Sequence, residues 1–388
     1  MEAQKKNRFL VFSAYRAVLF GGLFGVLLFI GIFGSTLWRF YLGTGYVFHY
    51  DAGKLAVHYL DVGQGDCTVV QLPDGRVIVM DSGEEMYYPR VKNYLDKRVV
   101  GSDGRIDFLI ATHSHSDHVG GFVNMLRDFD VGVVYRPFNE SINDPDAEGA
   151  IGPVADTEIY DTFINSAYVY ADEVRFIVAG EEISDAGGRY SWIFHTPEVE
   201  FVEVLKFGRF DDYNDISPIV TLVYLNHLFV FTGDAGSRAE RQFLAVAEAS
   251  VLLGDDTGLG GLDFEGKIVY LKAGHHGSGT SSTDDFLKFI DPDKVVISLG
   301  ARNVYGFPHE QVLYRLAGVG VERQDVMLTG ELGNIALVVD DVGDKIYFAF
   351  DNEADLRFFW ILGVVAVFVV CFVDFRWRVK GEEVGWFK

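Results

Sequence analysis

Three apolar runs in this chain each end in a polar cluster, and that recurrence constrains the fold more than any other feature. FLIAT (108–112) leads into HSHSDH (113–118), FVFTG (229–233) ends on Asp234, and IVYLKAG (268–274) ends on His275 and His276. The first cluster crowds three imidazoles and a carboxylate into one turn, and such groups cannot be buried without partners. If the three runs lie side by side as strands, their clusters share one rim of a sheet. The donors gathered there would be neutral imidazole nitrogens and carboxylate oxygens, with no thiolate set, which suits zinc, manganese or iron.

The spacing within the first cluster refines this. Residues two apart in an extended turn point the same way, so His113 and His115 reach one ion. Asp117 and His118, past a bend, reach a second. Asp234 is placed to bridge, and His275 to complete the second site. Two divalent ions ~3.5–4 Å apart activate water and steady charge on a substrate oxygen. The same loop opens VGGFVNML (119–126), whose helical spacing presents an amino end favourable to anions. The plainer alternative is a solvated polar loop.

Around these clusters the chain alternates strand and helix signals. KLAVHYLDVG (54–63), CTVVQL and RVIVMDSG read as strands, the last two joined by a PDG turn. MYYPRVKNYLDKRV reads as a helix, RIDFLIAT and VGVVYR as strands, and 139–172 as a loop followed by a covering helix. VRFIVAG, RYSWIFHT, SPIVTLVYLNHLFVFTGDAG, KIVYLKAG, KVVISLG, VMLTGE and GNIALVVDD read as strands; SRAERQFLAVAEA, TDDFLKFI and EQVLYRLAGVG read as helices. Abundant glycine, 43 residues, fits many tight turns. The pattern predicts an α/β fold, two packed sheets with helices on their outer faces.

Both ends carry uncharged apolar runs. Residues 17–38 are long enough to span a membrane, and FFWILGVVAVFVVCFV (358–373) is shorter but flanked by Arg357, Arg376 and Arg378. Lys5, Lys6, Arg8 and Arg16 precede the first run, and Arg376, Arg378 and Lys380 follow the second. The positive-inside rule then gives a cytoplasmic 1–16, a span at 17–38, an outward-facing domain at 50–350, a second span at 357–375 and a cytoplasmic tail at 376–388. A cleaved leader and a buried core helix are the respective alternatives.

Between Arg39 and Leu356 there are 24 Lys+Arg against 52 Asp+Glu, a net of −28. That body repels polyanions at long range and excludes a protein that grips nucleic acid by counterion release. Cys67 and Cys371 are the two cysteines. They lie too far apart to expect a disulfide, and Cys67 reads as a small buried hydrophobe.

The stretches HYLDVGQGDC (58–67), VIVMDSG (77–83), THSHSDHVGG (112–121), NDIS (214–217), TGDA (232–235), LKAGHHGSGTSS (271–282) and NVYGFPHEQVL (303–313) together resemble the metallo-β-lactamase superfamily, and within it the extracellular domain of ComEC-like competence proteins. The resemblance covers about 55–340. It implies a four-layer αββα sandwich, here flanked by two transmembrane helices, and a one- or two-metal hydrolase site holding zinc or manganese. It carries His113, His115, Asp117, His118, Asp234 and one of His275 or His276 over as ligands; His275 is taken as the ligand and His276 as a substrate-side group, with Asp117 also orienting the nucleophile. Asp61, Asp66 and Asp81 are expected behind the ligands, orienting imidazoles, with turn capping as their other reading.

His195 is a further candidate ligand, its alternative being a packed histidine. Asn214, Ser217 and the hydroxyl-rich lip of Ser278, Thr280, Ser281 and Ser282 are candidates to receive a phosphate oxygen or to cap turns. His58, His227 and, by default, His309 read as structural, and His49 is expected near the membrane surface. Many relatives have Asp where this chain has His115, and a YGHP motif where this chain has YGFP. Phe307 thus stands in place of a histidine, and His309 is a candidate to take its part.

The expected function is a membrane-anchored metallohydrolase of phosphodiesters, including nucleic acid. One alternative is hydrolysis of a lactone, thioester or β-lactam by the same metals. The other is a non-catalytic scaffold partnering a separate DNA-uptake or secretion channel in the membrane.

Overall fold

Period-two alternation decides which face each strand buries. In β1 (Leu55–Tyr59), Leu55, Val57 and Tyr59 enter one apolar core while His58 points the other way and bonds Tyr94. In β10 (His227–Phe231), Phe229 and Phe231 enter that same core, and Leu228 and Val230 a different one. Strands built this way need a layer on each side, and the protein supplies it.

This computed structural model describes residues 53–100, 104–155, 157–202, 213–253, 264, 266–340 and 343–349. The apolar runs at 17–38 and 357–375 lie outside these residues, as do the basic flanks 1–16 and 376–388, His49 and Cys371. Among the described residues no helix is long and apolar enough to cross a membrane.

Eight strands form one sheet, in the order β15 (Gly343–Ala349), β14 (Asn334–Asp340), β1, β2 (Thr68–Gln71), β3 (Val77–Met80), β4 (Arg105–Ile110), β5 (Asp130–Arg136) and β6 (Ala171–Phe176). Seven form the other: β13 (Val326–Leu328), β12 (Lys294–Ile297), β11 (Ile268–Lys272), β10, β9 (Val220–Tyr224), β8 (Tyr190–Phe194) and β7 (Glu182–Ser184). Each sheet holds a parallel block, β3 to β6 in the first and β10 to β13 in the second.

Between the sheets lies a core of Tyr59, Ile110, Trp192, Phe194, Phe229, Phe231 and Tyr270 among others. Truncating Trp192, fully buried and stacked on Phe231, is a change that costs about 3–5 kcal/mol. Helices α1 (Tyr88–Tyr94), α3 (Phe122–Asp128) and α4 (Glu158–Tyr170) cover the outer face of the first sheet. Helices α5 (Ser237–Leu253), α6 (Asp284–Ile290) and α7 (Glu310–Gly318) cover the second. Two short helices, α2 (Ser116–Val119) and α8 (Thr329–Leu332), sit in loops. The layers therefore run α, β, β, α.

The sequence reading differs in three places. The long apolar stretch 217–236 is a hairpin, β9 and β10 paired antiparallel, rather than one strand. The edge strands β7 and β15 escaped notice: one is only three residues, and the other opens with Gly343 and Asp344. Finally, the three runs that end in polar clusters do not share one sheet. β10 and β11 are neighbours, but β4 belongs to the facing sheet, so the clusters meet across the sandwich.

Candidate metal centre

The first cluster leaves β4 through Thr112, and α2 starts immediately afterwards. His113 is fully buried, and its Nε2 lies 2.9 Å from His115 Nδ1. Asp117 and His118 fall inside α2, which turns both side chains back toward the sheet rim. The DVGQGD turn presses on this helix: a Cβ on Gly65, at φ +138°, would stand 2.4 Å from the Asp117 carbonyl oxygen. Only glycine permits that approach, and it lets the Asp66 amide donate to the same oxygen at 3.1 Å.

The second cluster follows β10. Asp234 is buried, and its amide donates to Ser217 Oγ at 3.2 Å. Ser217 Oγ also lies 3.3 Å from His113 Nδ1, tying the NDIS loop to the first cluster. The third cluster follows β11 in a turn where His275 and His276 both have positive φ, 48° and 53°.

The three clusters meet on a few atoms. His118 Nε2 lies 3.4 Å from Asp234 Oδ1, and His276 Nε2 lies 3.3 Å from Asp117 Oδ2 and 3.5 Å from Asp234 Oδ2. His113, His118 and Asp234 form one group whose ligand atoms all fall within 4.8 Å of one another, and Asp117, His118 and His276 form another. His118 Nε2, His276 Nε2 and Asp234 Oδ1 are buried with no hydrogen-bond partner. Buried polar atoms are almost always paired, and here the unpaired ones face each other. That donor set fits a divalent ion.

Behind these atoms stand carboxylates that fix them. Asp81 Oδ2 accepts from His118 Nδ1 at 2.8 Å, and the same carboxylate accepts from the Thr112 amide and hydroxyl. Asp66 lies 3.5 Å from His276 Nδ1, which also donates to the Ser298 carbonyl at 2.9 Å. Asp61, in contrast, caps its own turn by accepting from Gly63 at 3.2 Å.

The local fields follow. Burial lowers His118, but Asp234, Asp81 and Asp117 outweigh it and hold the imidazole well above its usual range. Burial likewise opposes His276, yet Asp234 and Asp66 raise it to about 10. Burial would raise Asp234, but His276 and His118 hold it well below the usual carboxylate range. Protons therefore occupy positions that a cation would take, and its binding would displace them.

The geometry draws His276, rather than His275, into the ligand groups. His275 stands at the rim, a quarter exposed, its Nε2 3.8 Å from Asp234 and its Nδ1 3.1 Å from Thr280 Oγ1 and 3.4 Å from Asn214 Nδ2. His115 joins neither ligand group; its ring meets the edge of Tyr213. His195 joins none either: its Nε2 bonds Thr221 Oγ1 at 2.7 Å, its ring meets Phe243, and burial pushes it down to about 3. Ser278 Oγ bonds Thr280 Oγ1 at 3.0 Å, and His309 Nδ1 accepts from the Gly279 amide at 3.0 Å, so both shape the lip. His58 and His227 lie in the packed interior.

Lys272 escaped the sequence reading. It is buried, ion-paired with Asp66, and donates to the Gly233 carbonyl at 2.9 Å. Its signal was parity: it shares a strand face with Tyr270, which is an inter-sheet position.

A family model described as the metallo-beta-lactamase superfamily matches residues 60–301. The chain is similar to "Recombination protein 2" of Haemophilus influenzae, 26% identical over 67% of this chain and 26% of that one. It is similar to "ComE operon protein 3" of Bacillus subtilis, 24% identical over 67% of this chain and 30% of that one. It is also similar to "Competence protein ComA" of Neisseria gonorrhoeae, 23% identical over 77% of this chain and 35% of that one. The chain thus matches about a quarter to a third of the length of these relatives.

Proposed function

The chain belongs to the metallo-beta-lactamase superfamily, and from that premise we propose that it is a metal-dependent hydrolase of phosphodiesters, anchored in a membrane with its catalytic domain outside the cytoplasm. The observation that supports hydrolysis is the convergence of His118 Nε2, His276 Nε2 and Asp234 Oδ1, buried and without a hydrogen bond, in charge contacts of 3.3–3.5 Å with one another and with Asp117. A divalent cation would take imidazole and carboxylate donors gathered in this way. The groups His113–His118–Asp234 and Asp117–His118–His276 share His118, and together their donors would suffice for one ion or for two. Zinc or manganese suits this mixture of imidazole and carboxylate.

A divalent ion bound here supplies Lewis acidity and lowers the pKa of water. The chain's own residues do the rest. Ser217 fixes the Asp234 backbone, and Asp81 fixes the His118 ring. Asp117, about a quarter exposed, faces the opening and orients the attacking water. His275, on the rim with Thr280 and Asn214, offers a hydrogen bond to a substrate oxygen. The roles first read for His275 and His276 are thereby exchanged.

The relatives' names speak of recombination and competence, which supports nucleic-acid phosphodiesters as the substrate class. The net charge of −28 favours short pieces over long polymers. The anchoring rests on the apolar runs at 17–38 and 357–375 and their basic flanks.

The test is an assay of the full-length chain in detergent, stripped with chelator and reloaded with zinc or manganese. Hydrolysis of bis-p-nitrophenyl phosphate that Asp117→Ala abolishes is the expected result. Turnover of nitrocefin, a lactone or a thioester in its place would replace the phosphodiester reading. Metal-loaded protein inert toward all of them, with Asp117→Ala retaining biological activity, would leave a scaffold.

A further inference from the structure

The loop after β12 ends in NVYGFP, and it lays aromatic rings beside the metal centre. Phe307 stacks on His276 with centroids 6.3 Å apart and planes 29° apart. Tyr305 stacks on the other ring, Phe307, at 5.4 Å and 15°. Phe307 thus stacks both with His276, a candidate metal ligand, and with Tyr305. Tyr305 is 61% exposed, and the neighbouring Val304 is 90% exposed.

The loop is held in place rather than draped over the surface. Asn303 accepts from the Phe307 amide at 2.8 Å and donates to the Phe307 carbonyl at 2.9 Å, closing the loop on itself. Gly277, at φ +80°, leaves the space that Pro308 fills; a Cβ there would stand 2.7 Å from Pro308 Cβ. The His309 amide donates to the Gly277 carbonyl at 2.9 Å, and His309 Nδ1 accepts from Gly279. Three contacts thus bind the aromatic loop to the lip that carries His276. A loop held in this way loses little freedom when something stacks on the exposed ring it carries.

We propose that Tyr305 and Phe307 form a stacking subsite for a nucleobase adjacent to the scissile phosphodiester. The proposal rests on the phosphodiester reading above, and adds to it that the substrate carries a planar ring on the side of the 303–307 loop. Stacking accepts any base, because every base has a π face. It also needs no positive charge, which this acidic chain offers little of.

The experiment compares two substrates with one leaving group, thymidine 5′-(p-nitrophenyl) phosphate and methyl p-nitrophenyl phosphate, on the full-length metal-loaded chain. A parallel binding measurement follows fluorescence quenching of 2-aminopurine riboside monophosphate on the Asp117→Ala background, where no turnover is needed. The expected result is a lower KM for the thymidine ester. Tyr305→Ala then reduces the KM ratio between the two substrates by about tenfold, within the range seen for lost base stacking, and Tyr305→Phe restores it. Quenching should weaken with Tyr305→Ala and return with Tyr305→Phe. If both esters are hydrolysed with a ratio that Tyr305→Ala does not change, the subsite is overturned and the hydrolase stands. If neither ester is hydrolysed but quenching depends on Tyr305, base stacking survives and the hydrolase falls. Absence of both turnover and quenching removes both.

Discussion

At the scale of single residues, Asp81 and Lys272 act through their neighbours. Asp81 has φ +60°, a conformation that asparagine also tolerates, so Asp81→Asn keeps the backbone. Its amide group, however, would face His118 Nδ1 as a donor and push the proton to Nε2, the atom that points into the cluster. Metal affinity should fall about 10–100-fold, the usual cost of losing such a partner, read by competition against a fluorescent chelator. Unchanged affinity would mean that His118 is not a ligand. Lys272 is the buried counter-ion of Asp66. Lys272→Met removes the largest counter-charge of that carboxylate, leaving His276 as its nearest cation, and should destabilise the protein by up to about 3–5 kcal/mol in urea unfolding, with Lys272→Arg recovering part of it. These two residues also mark what the sequence disclosed. Asp81 was legible as a group behind the ligands through the family resemblance that VIVMDSG helps to carry, with turn capping as its other reading. Lys272 was equally legible by strand parity and was passed over. The choice between His275 and His276 was not legible, because both lie in a turn with positive φ where alternation no longer tells which side chain points inward.

At the scale of elements, the lip that carries His276 is held by two helices, α5 and α7, and the residue that precedes the second. Glu240 of α5, fully buried, accepts from the Thr283 amide at 2.9 Å and its hydroxyl at 2.6 Å, and from the Ser282 amide. Arg315 of α7 donates to the carbonyls of Gly279 and Ser281, at 3.2 and 3.0 Å. His309, just before α7, takes the Gly279 amide. Burial raises the Glu240 carboxyl from 4.5 to about 7, against the pull of its hydrogen bonds. A carboxyl raised in the folded state favours folding when protonated. Its contribution is therefore complete below about 4.5 and is lost as pH rises through about 7. Glu240→Gln should flatten the stability profile across that window, followed as urea midpoints at successive pH values. A slope unchanged by the substitution would show that other groups set it. The glutamate and arginine of this clamp were not foreseen, because its hydrogen bonds join residues 30 to 43 positions apart and their local signals were an ordinary helical glutamate and arginine. The strands and the main helices, set by periodicity within short windows, were read almost completely; which sheet each strand joins was not, since β4 and β10 look alike in sequence and differ only in their partners.

At the scale of the whole molecule, the net charge bears on the proposed nucleic-acid substrate. The chain from Arg39 to Leu356 carries a net of −28, so a polyanion approaches against repulsion that acts over the Debye length. That length shrinks from about 30 Å at 0.01 M salt to about 8 Å at 0.15 M. A protein that holds nucleic acid through basic contacts loses affinity steeply over this range as released counterions are drawn back. Here the sign should reverse. Cleavage of a single-stranded 20-nucleotide oligomer by the full-length metal-loaded chain should rise in kcat/KM between those two salt concentrations, because screening lowers the long-range barrier set by the net charge. Thymidine 5′-(p-nitrophenyl) phosphate, with a single charge, should change far less. The contrast between the two substrates separates long-range repulsion from any direct effect of salt on the metals, which both substrates would share. A fall in oligomer cleavage with salt would show that a local cationic surface, and not the acidity of the whole body, controls access.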